Sequence, residues 1–243
     1  MRNTRLVSVL FGGALLLAAP RICVAQNWEP LYDGTNLDAW EIRGEGVWTI
    51  LKDGTLLGQR AHPNVANPFG NAWPIAQKTF RDWIYRQSWL YTKRSFGEYD
   101  LHLEYLIPPR GNSGVSIRDE SRAHWVIGEP DTDWMPKSTE LKGSPAHVGY
   151  EIQIIGDDAE TYPSGSVYLF AKAKTGVQKP GDWNAMDIES RNDMIRVRLN
   201  GTVVAEYAGA PERSKVGPIG LQLHDQFTFA MFRNIRIRPF DRK

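Results

Sequence analysis

The chain has 243 residues, with 29 Lys and Arg against 28 Asp and Glu and one cysteine, Cys23. A single cysteine excludes an internal disulfide framework and a multi-cysteine metal site, and near-neutral charge without a basic stripe argues against a nucleic-acid partner. The length suits one large domain with a well-buried core.

The N-terminus reads as a secretory signal peptide over residues 1–25: Arg2 and Arg5, an apolar run from Leu6 to Ala19, then Cys23-Val24-Ala25 before a cleavage point. The run falls short of the roughly 20 residues that span a bilayer, and Pro20-Arg21 closes it, so no stable membrane span is expected. Pro20-Arg21-Ile22 also lacks the small residues that lipoprotein processing at Cys23 would need. Cleavage removes three arginines and no acids, leaving 26 basic and 28 acidic residues, a net charge of −2. The expected mature protein is a single domain, residues 26–243, secreted or periplasmic.

Beyond residue 25, short runs alternate with period two: "VWTILKDGTLLG", "EYDLHLEYLI", "NSGVSIR", "YEIQII", "SVYLF", "MIRVRLNGTVVAEY", "IGLQLH" and "FRNIRIRPF". Bounded by Gly, Pro, Asn and Asp, they predict an all-β fold, an antiparallel β-sandwich or jelly roll. Asn200-Gly201 and Lys52-Asp53-Gly54-Thr55 predict hairpin turns. Two stretches break the rhythm: residues 60–87, with Trp73, Trp83 and a short helix expected around Ala76–Tyr85, and residues 119–148, with Trp125 and Trp134. Long aromatic loops of this kind are candidate walls of a binding cleft.

Side chains alternate across a strand, so each run splits into two faces. Tyr150, Ile152 and Ile154 oppose Glu151 and Gln153; Val115 and Ile117 oppose Asn112, Gly114, Ser116 and Arg118; Ile219, Leu221 and Leu223 oppose Gln222 and His224. Leu101, Leu103 and Tyr105 likewise oppose Asp100, His102 and Glu104. The ordinary explanation of such polar faces is a solvated outer surface, which Arg196 and Arg198 in "MIRVRLNG" are expected to exemplify. The first three runs differ because they carry amides, an arginine, a glutamate and a histidine beside long aromatic loops. Planar groups with several donors match pairs of sugar hydroxyls.

The segments "EPLYDGTNLDAWE", "WTILKDGTLLG", "FGEYDLHLEYLIPPRGNSGVSIR", "GYEIQII", "GSVYLF", "GDWNAMDI" and "GPIGLQLHDQFTFAMFRNIRIRPF", in that order, resemble landmarks of the bacterial 3-keto-disaccharide hydrolase domain family. The resemblance implies a concanavalin A-like jelly roll, a secreted protein, and cleavage by hydrolysis or elimination of glycosides whose sugar is oxidised to a ketone at C3. A separate oxidoreductase would supply that ketone.

Retaining glucanases of the laminarinase type present E-x-D-x-x-E on one strand, and retention needs two carboxyl groups about 5–5.5 Å apart. The corresponding stretch here is Glu151-Ile152-Gln153-Ile154-Ile155-Gly156, with an amide and a glycine where the other acids would stand. A 3-keto sugar removes the need for the pair, because the ketone acidifies the C2 hydrogen and one base can start an elimination. Glu151 and His224 are the candidate bases, and Arg118 and Asn112 the candidate enolate stabilisers. Gln153, Gln222 and Tyr168 are candidate substrate-binding residues. The five His are scattered without H-x-H or H-E-x-x-H spacing, which argues against a catalytic zinc. No cofactor is required by the sequence, though Asp33, Asp38 or Asp157 could ligate a structural Ca²⁺. The expected partner is a carbohydrate, and the competing reading is a non-catalytic carbohydrate-binding module.

Overall fold

The computed structural model describes residues 27–60, 77 and 87–123, and then 148–240. The signal-peptide segment, the four loop tryptophans named above and, apart from Gln77, the expected helix around Ala76–Tyr85 lie outside the described residues. Among the described residues, thirteen strands form two sheets in which every strand pairing is antiparallel. The fold is the expected β-sandwich jelly roll.

The larger sheet runs β11 (Thr202–Ala208), β10 (Met194–Leu199), β9 (Asn184–Arg191), β6 (Tyr99–Leu106), β13 (Phe229–Pro239), β4 (Leu56–Arg60) and β3 (Gly46–Ile50), with β1 (Glu29–Pro30) paired to β13. The smaller runs β2 (Trp40–Arg43), β5 (Ser88–Thr92), β12 (Gly220–Leu223), β7 (Asn112–Ile117) and β8 (Tyr150–Ile155). Leu101, Leu103 and Tyr105 from the first sheet meet Val115, Ile117, Ile152, Ile154 and Leu221 from the second in one continuous core. Burying each such side chain contributes about 1.5–3 kcal/mol relative to exposure, so the alternation itself sets which face turns inward.

The expected turns form. Asn200 and Gly201 take φ of 49° and 81° and join β10 to β11, while Asp53 Oδ1 accepts the Thr55 N–H at 3.0 Å between β3 and β4. A further hairpin went unread: Asn192 and Asp193, at φ 47° and 63°, close β9 onto β10 by the same left-handed geometry. "SVYLF" is not a strand. Val167 makes isolated bridges to Ile152 and Ala171, and Leu169 at φ 69° turns the chain away.

The two outward faces differ. β6 and β9 alternate buried and half-buried residues along most of their length, whereas every residue of β5, β8 and β12 is buried. Apart from the edge strand β2, the outward face of the smaller sheet is therefore covered, and its polar side chains are held away from bulk water.

Candidate active site

The covered face is built from cross-strand neighbours. Trp89 and Tyr91 on β5 oppose Gln222 and Gly220 on β12, Gly220 opposes Ser116 on β7, and Ser116 and Gly114 oppose Glu151 and Gln153 on β8. Near the end of the sheet where β7 begins lies a cavity of about 40 Å³, lined among the described residues by Gln87, Asn112, Glu151, Gln153, Tyr168, Gln222 and His224. A water needs at least about 10–15 Å³ of such space, so the cavity admits a small group of hydroxyls.

Six of the seven residues expected at the site therefore converge: Glu151, His224, Asn112, Gln153, Gln222 and Tyr168. Arg118 does not join them. It lies one residue past β7 at φ 58°, and this left-handed turn carries its side chain to the other sheet, where Nε donates to Ser190 Oγ at 3.0 Å. The expectation that it continues the β7 alternation and clamps an enolate is corrected accordingly.

Glu151, 4% exposed, is seated by a missing side chain. A Cβ on Gly114 would fall 2.6 Å from Glu151 Oε1, so only glycine leaves the carboxyl its place on the neighbouring strand. Gly156, where a retaining glucanase would carry its second acid, has a different cause. A Cβ there would meet the Pro108 carbonyl oxygen at 2.2 Å, so backbone packing forbids any side chain. Among the described residues lining the cavity, Glu151 is the sole carboxylate.

His224 follows β12 and is oriented by a residue the sequence reading did not single out. Its Nδ1 lies 3.1 Å from Asp225 Oδ2, while Asp225 Oδ1 accepts the N–H groups of Phe227 at 2.8 Å and Thr228 at 2.9 Å. Burial pushes the Asp225 carboxyl up, but hydrogen bonds from His224 and these N–H groups outweigh it and hold it below the usual range. An ionised Asp225 only accepts, so in the neutral imidazole Nδ1 carries the hydrogen and Nε2 the lone pair. The adjacent acid in "LHDQF" was the available signal.

Gln87 was also missed, because it closes residues 60–87, where the sequence shows no period-two alternation. Its Oε1 accepts from Trp89 Nε1 at 3.1 Å and Gln222 Nε2 at 3.2 Å, which fixes the Gln222 amide. Gln222 Oε1 and Asn112 Oδ1 are buried and, among the described residues, have no hydrogen-bond partner. A buried acceptor left unsatisfied costs about 1–3 kcal/mol, and a hydroxyl-bearing ligand would supply the missing donors. The Tyr168 phenol is held above its ordinary range, chiefly by burial and then by the Glu151 charge, so it stays a hydrogen-bond donor at neutral pH.

Elsewhere on the covered face, Tyr91 Oη bonds Asp119 Oδ2 at 2.8 Å and Ser116 Oγ at 3.2 Å. Burial raises the Asp119 carboxyl, partly offset by Ser121, the Ala123 N–H and Tyr91. Asp119 anchors the start of its loop and does not line the cavity.

The acids considered for Ca²⁺ are not brought together. Asp33 and Asp157 accept the N–H groups of Thr35 and Ala159 within their own turns, and among the described residues no three His, Cys, Asp or Glu form a metal-sized group.

An antiparallel two-sheet sandwich with an amide-lined pocket on its covered face, in which Glu151 is the one carboxylate among the described residues, defines a domain of the jelly-roll class. The chain belongs to the family of 3-keto-alpha-glucoside-1,2-lyase-like domains, whose model matches residues 27–238. Similar solved structures include two candidate glycosyl hydrolases from Parabacteroides distasonis. One is 16% identical with a TM-score of 0.62 over 88% of this chain and 94% of its own. The other is 24% identical with a TM-score of 0.60 over 88% and 100%. A carbohydrate-binding module from Bacillus subtilis is 14% identical, with a TM-score of 0.51 over 82% and 95%. At these identities the likeness is one of fold. No curated protein matches the chain.

Proposed function

We propose that this protein cleaves glycosides bearing a ketone at C3 of the sugar, by elimination across C1 and C2 followed by hydration, and that it acts in the periplasm or outside the cell. The family supports the substrate class, and the N-terminal pattern supports the location. The observation that carries the mechanism is a polar cavity in which Glu151, the one carboxylate among the described lining residues, meets a histidine whose Asp225 partner leaves Nε2 as base.

In this scheme His224 Nε2 takes the C2 hydrogen as a proton, and the electron pair of the C2–H bond moves into the carbonyl as an enolate. With Arg118 elsewhere, the amides of Asn112 and Gln153 are the donors facing the developing negative charge. The enolate then expels the C1 oxygen, which receives a proton from Glu151 in its acid form, leaving a C1–C2 double bond conjugated with the ketone. Water adds at C1, giving its proton to the Glu151 carboxylate, and the imidazolium, whose N–H has exchanged with solvent, protonates C2. The net change is hydrolysis. Positioned acid and base groups contribute about 10²–10⁴-fold each, without a carboxylate pair.

The test follows aglycone release from a 3-keto glucoside and from the same glucoside unoxidised. Release from the ketone alone is expected. Release from both would point to an ordinary glycosidase, and binding of the ketone without release would make the domain a saccharide-binding module.

A further inference from the structure

Gln222 lines the cavity with an amide that could face a ligand with either its N–H or its oxygen, and two hydrogen bonds settle which. The Trp89 indole N–H can only donate. It lies 3.1 Å from one end of the Gln87 amide, so that end is the oxygen, Oε1. The second lone pair of the same oxygen meets the Gln222 amide at 3.2 Å, so Gln222 turns Nε2 toward Gln87 and Oε1 away from it. All three side chains are buried, which keeps bulk water from offering other partners.

Gln222 Oε1 is therefore a fixed acceptor, and among the described residues no donor reaches it. Asn112 Oδ1, in the lining of the same cavity, is in the same state, and the backbone of Asn112 is pinned by its N–H bond to Thr228 Oγ1 at 3.0 Å. Two acceptors call for hydrogens. A hydroxyl supplies one, whereas a carbonyl, an ether or a glycosylated oxygen has none to give. The cavity, at about 40 Å³, has room for a few hydroxyl-sized groups and so takes one edge of a sugar ring. Groups read together there belong to neighbouring carbons.

We propose that Gln87 is a positioning residue for substrate selection: by holding the Gln222 oxygen toward the cavity, it makes the site demand a free hydroxyl on a carbon flanking C3. This rests on the reading of the site as one for 3-keto glycosides. Asn112 then gives its side-chain N–H to the ketone oxygen and takes a hydrogen from the neighbouring hydroxyl, so one amide spans both groups. A ring alkylated, acylated or glycosylated at that hydroxyl is refused, because the substituent removes the hydrogen and overfills the cavity.

The test measures binding by calorimetry, in the Glu151→Gln background that slows turnover, of methyl 3-keto-α-D-glucopyranoside and its 2-deoxy and 4-deoxy analogues. One deoxy analogue is expected to bind about 10–100-fold more weakly than the parent, the effect of leaving a buried acceptor unmet. Adding Gln222→Met, which keeps the length and removes the acceptor, should bring the parent down to that analogue and leave the analogue unchanged. Gln87→Met, which frees the Gln222 amide to rotate, should shrink the difference in the same way. A merely structural Gln87 would weaken parent and analogue alike. The proposal is overturned if the parent does not bind, if both deoxy analogues bind as well as the parent, or if the preference survives Gln87→Met. A preference lost in both Met variants, in a protein whose unaltered form fails to cleave the ketone, would uphold this recognition and remove the elimination chemistry.

Discussion

The outward faces of the two sheets carry the same alternating polar pattern and use it in opposite ways. On the larger sheet Asp100 pairs with Arg191 and Arg238, Glu104 with Arg233, and Glu189 with Arg196 and Arg198. Asp100 is buried but met by two arginines, the other charges are partly exposed, and their role is solubility and modest cross-strand support. On the smaller sheet the face is covered, and amides predominate among the residues lining its cavity. Gln222 is 1% exposed with its carbonyl oxygen lacking a partner among the described residues. Polarity that solvent satisfies marks a surface; buried polarity that is left wanting marks a site.

The sharpest way to break the contrast is at the chemistry. His224→Ala and Glu151→Gln should each lower cleavage of a 3-keto glucoside about 10²–10⁴-fold with the fold intact by circular dichroism. Retention of full activity by either would remove that residue from the mechanism.

The next effect separates the two glycines. Gly156→Ala places a methyl group 2.2 Å from the Pro108 carbonyl oxygen, so it should destabilise by about 1–3 kcal/mol in denaturant titrations. Gly114→Ala instead confronts the movable end of a side chain, Glu151 Oε1. It should displace the carboxyl and cost about 10²-fold in activity with a smaller loss of stability.

Asp225 tests the histidine's support through pH. Its folded-state pKa lies below 3.8, so the native state binds fewer protons there than the unfolded state. The resulting stability is present above about pH 4 and is lost as pH falls through the folded-state value. Asp225→Asn should flatten the acid limb of the stability–pH profile and lower stability at pH 7 by about 1–2 kcal/mol through weaker capping of Phe227 and Thr228. The smallest effect belongs to the solvated face: Arg198→Ala should change stability by no more than about 1 kcal/mol and leave activity unaltered.

Much of this was legible in the sequence because period two is a strong signal. It separated Glu151 and Gln153 from Ile152 and Ile154, and brought five pocket residues, Glu151, Gln153, Asn112, Gln222 and His224, from three runs into one group. It failed where the backbone departs from a strand. Arg118 continues the alternation on paper, but a left-handed residue re-aims it, and Leu169 ends "SVYLF" in the same way. β5, the strand carrying Trp89 and Tyr91, was overlooked because "SWLYT" is buried on both faces and shows no alternation. Gly156 was readable as a missing acid, but only the approach of the Pro108 carbonyl explains why no side chain can stand there.

The central claim is removal of a carbon-bound proton, and solvent exchange at C2 tests it most directly. In heavy water, a 3-keto glucoside incubated with the Glu151→Gln variant should take up deuterium at C2 faster than the aglycone leaves, and His224→Ala should abolish that uptake. Cleavage by the unaltered protein that leaves the original C2 hydrogen in the released sugar would contradict the account.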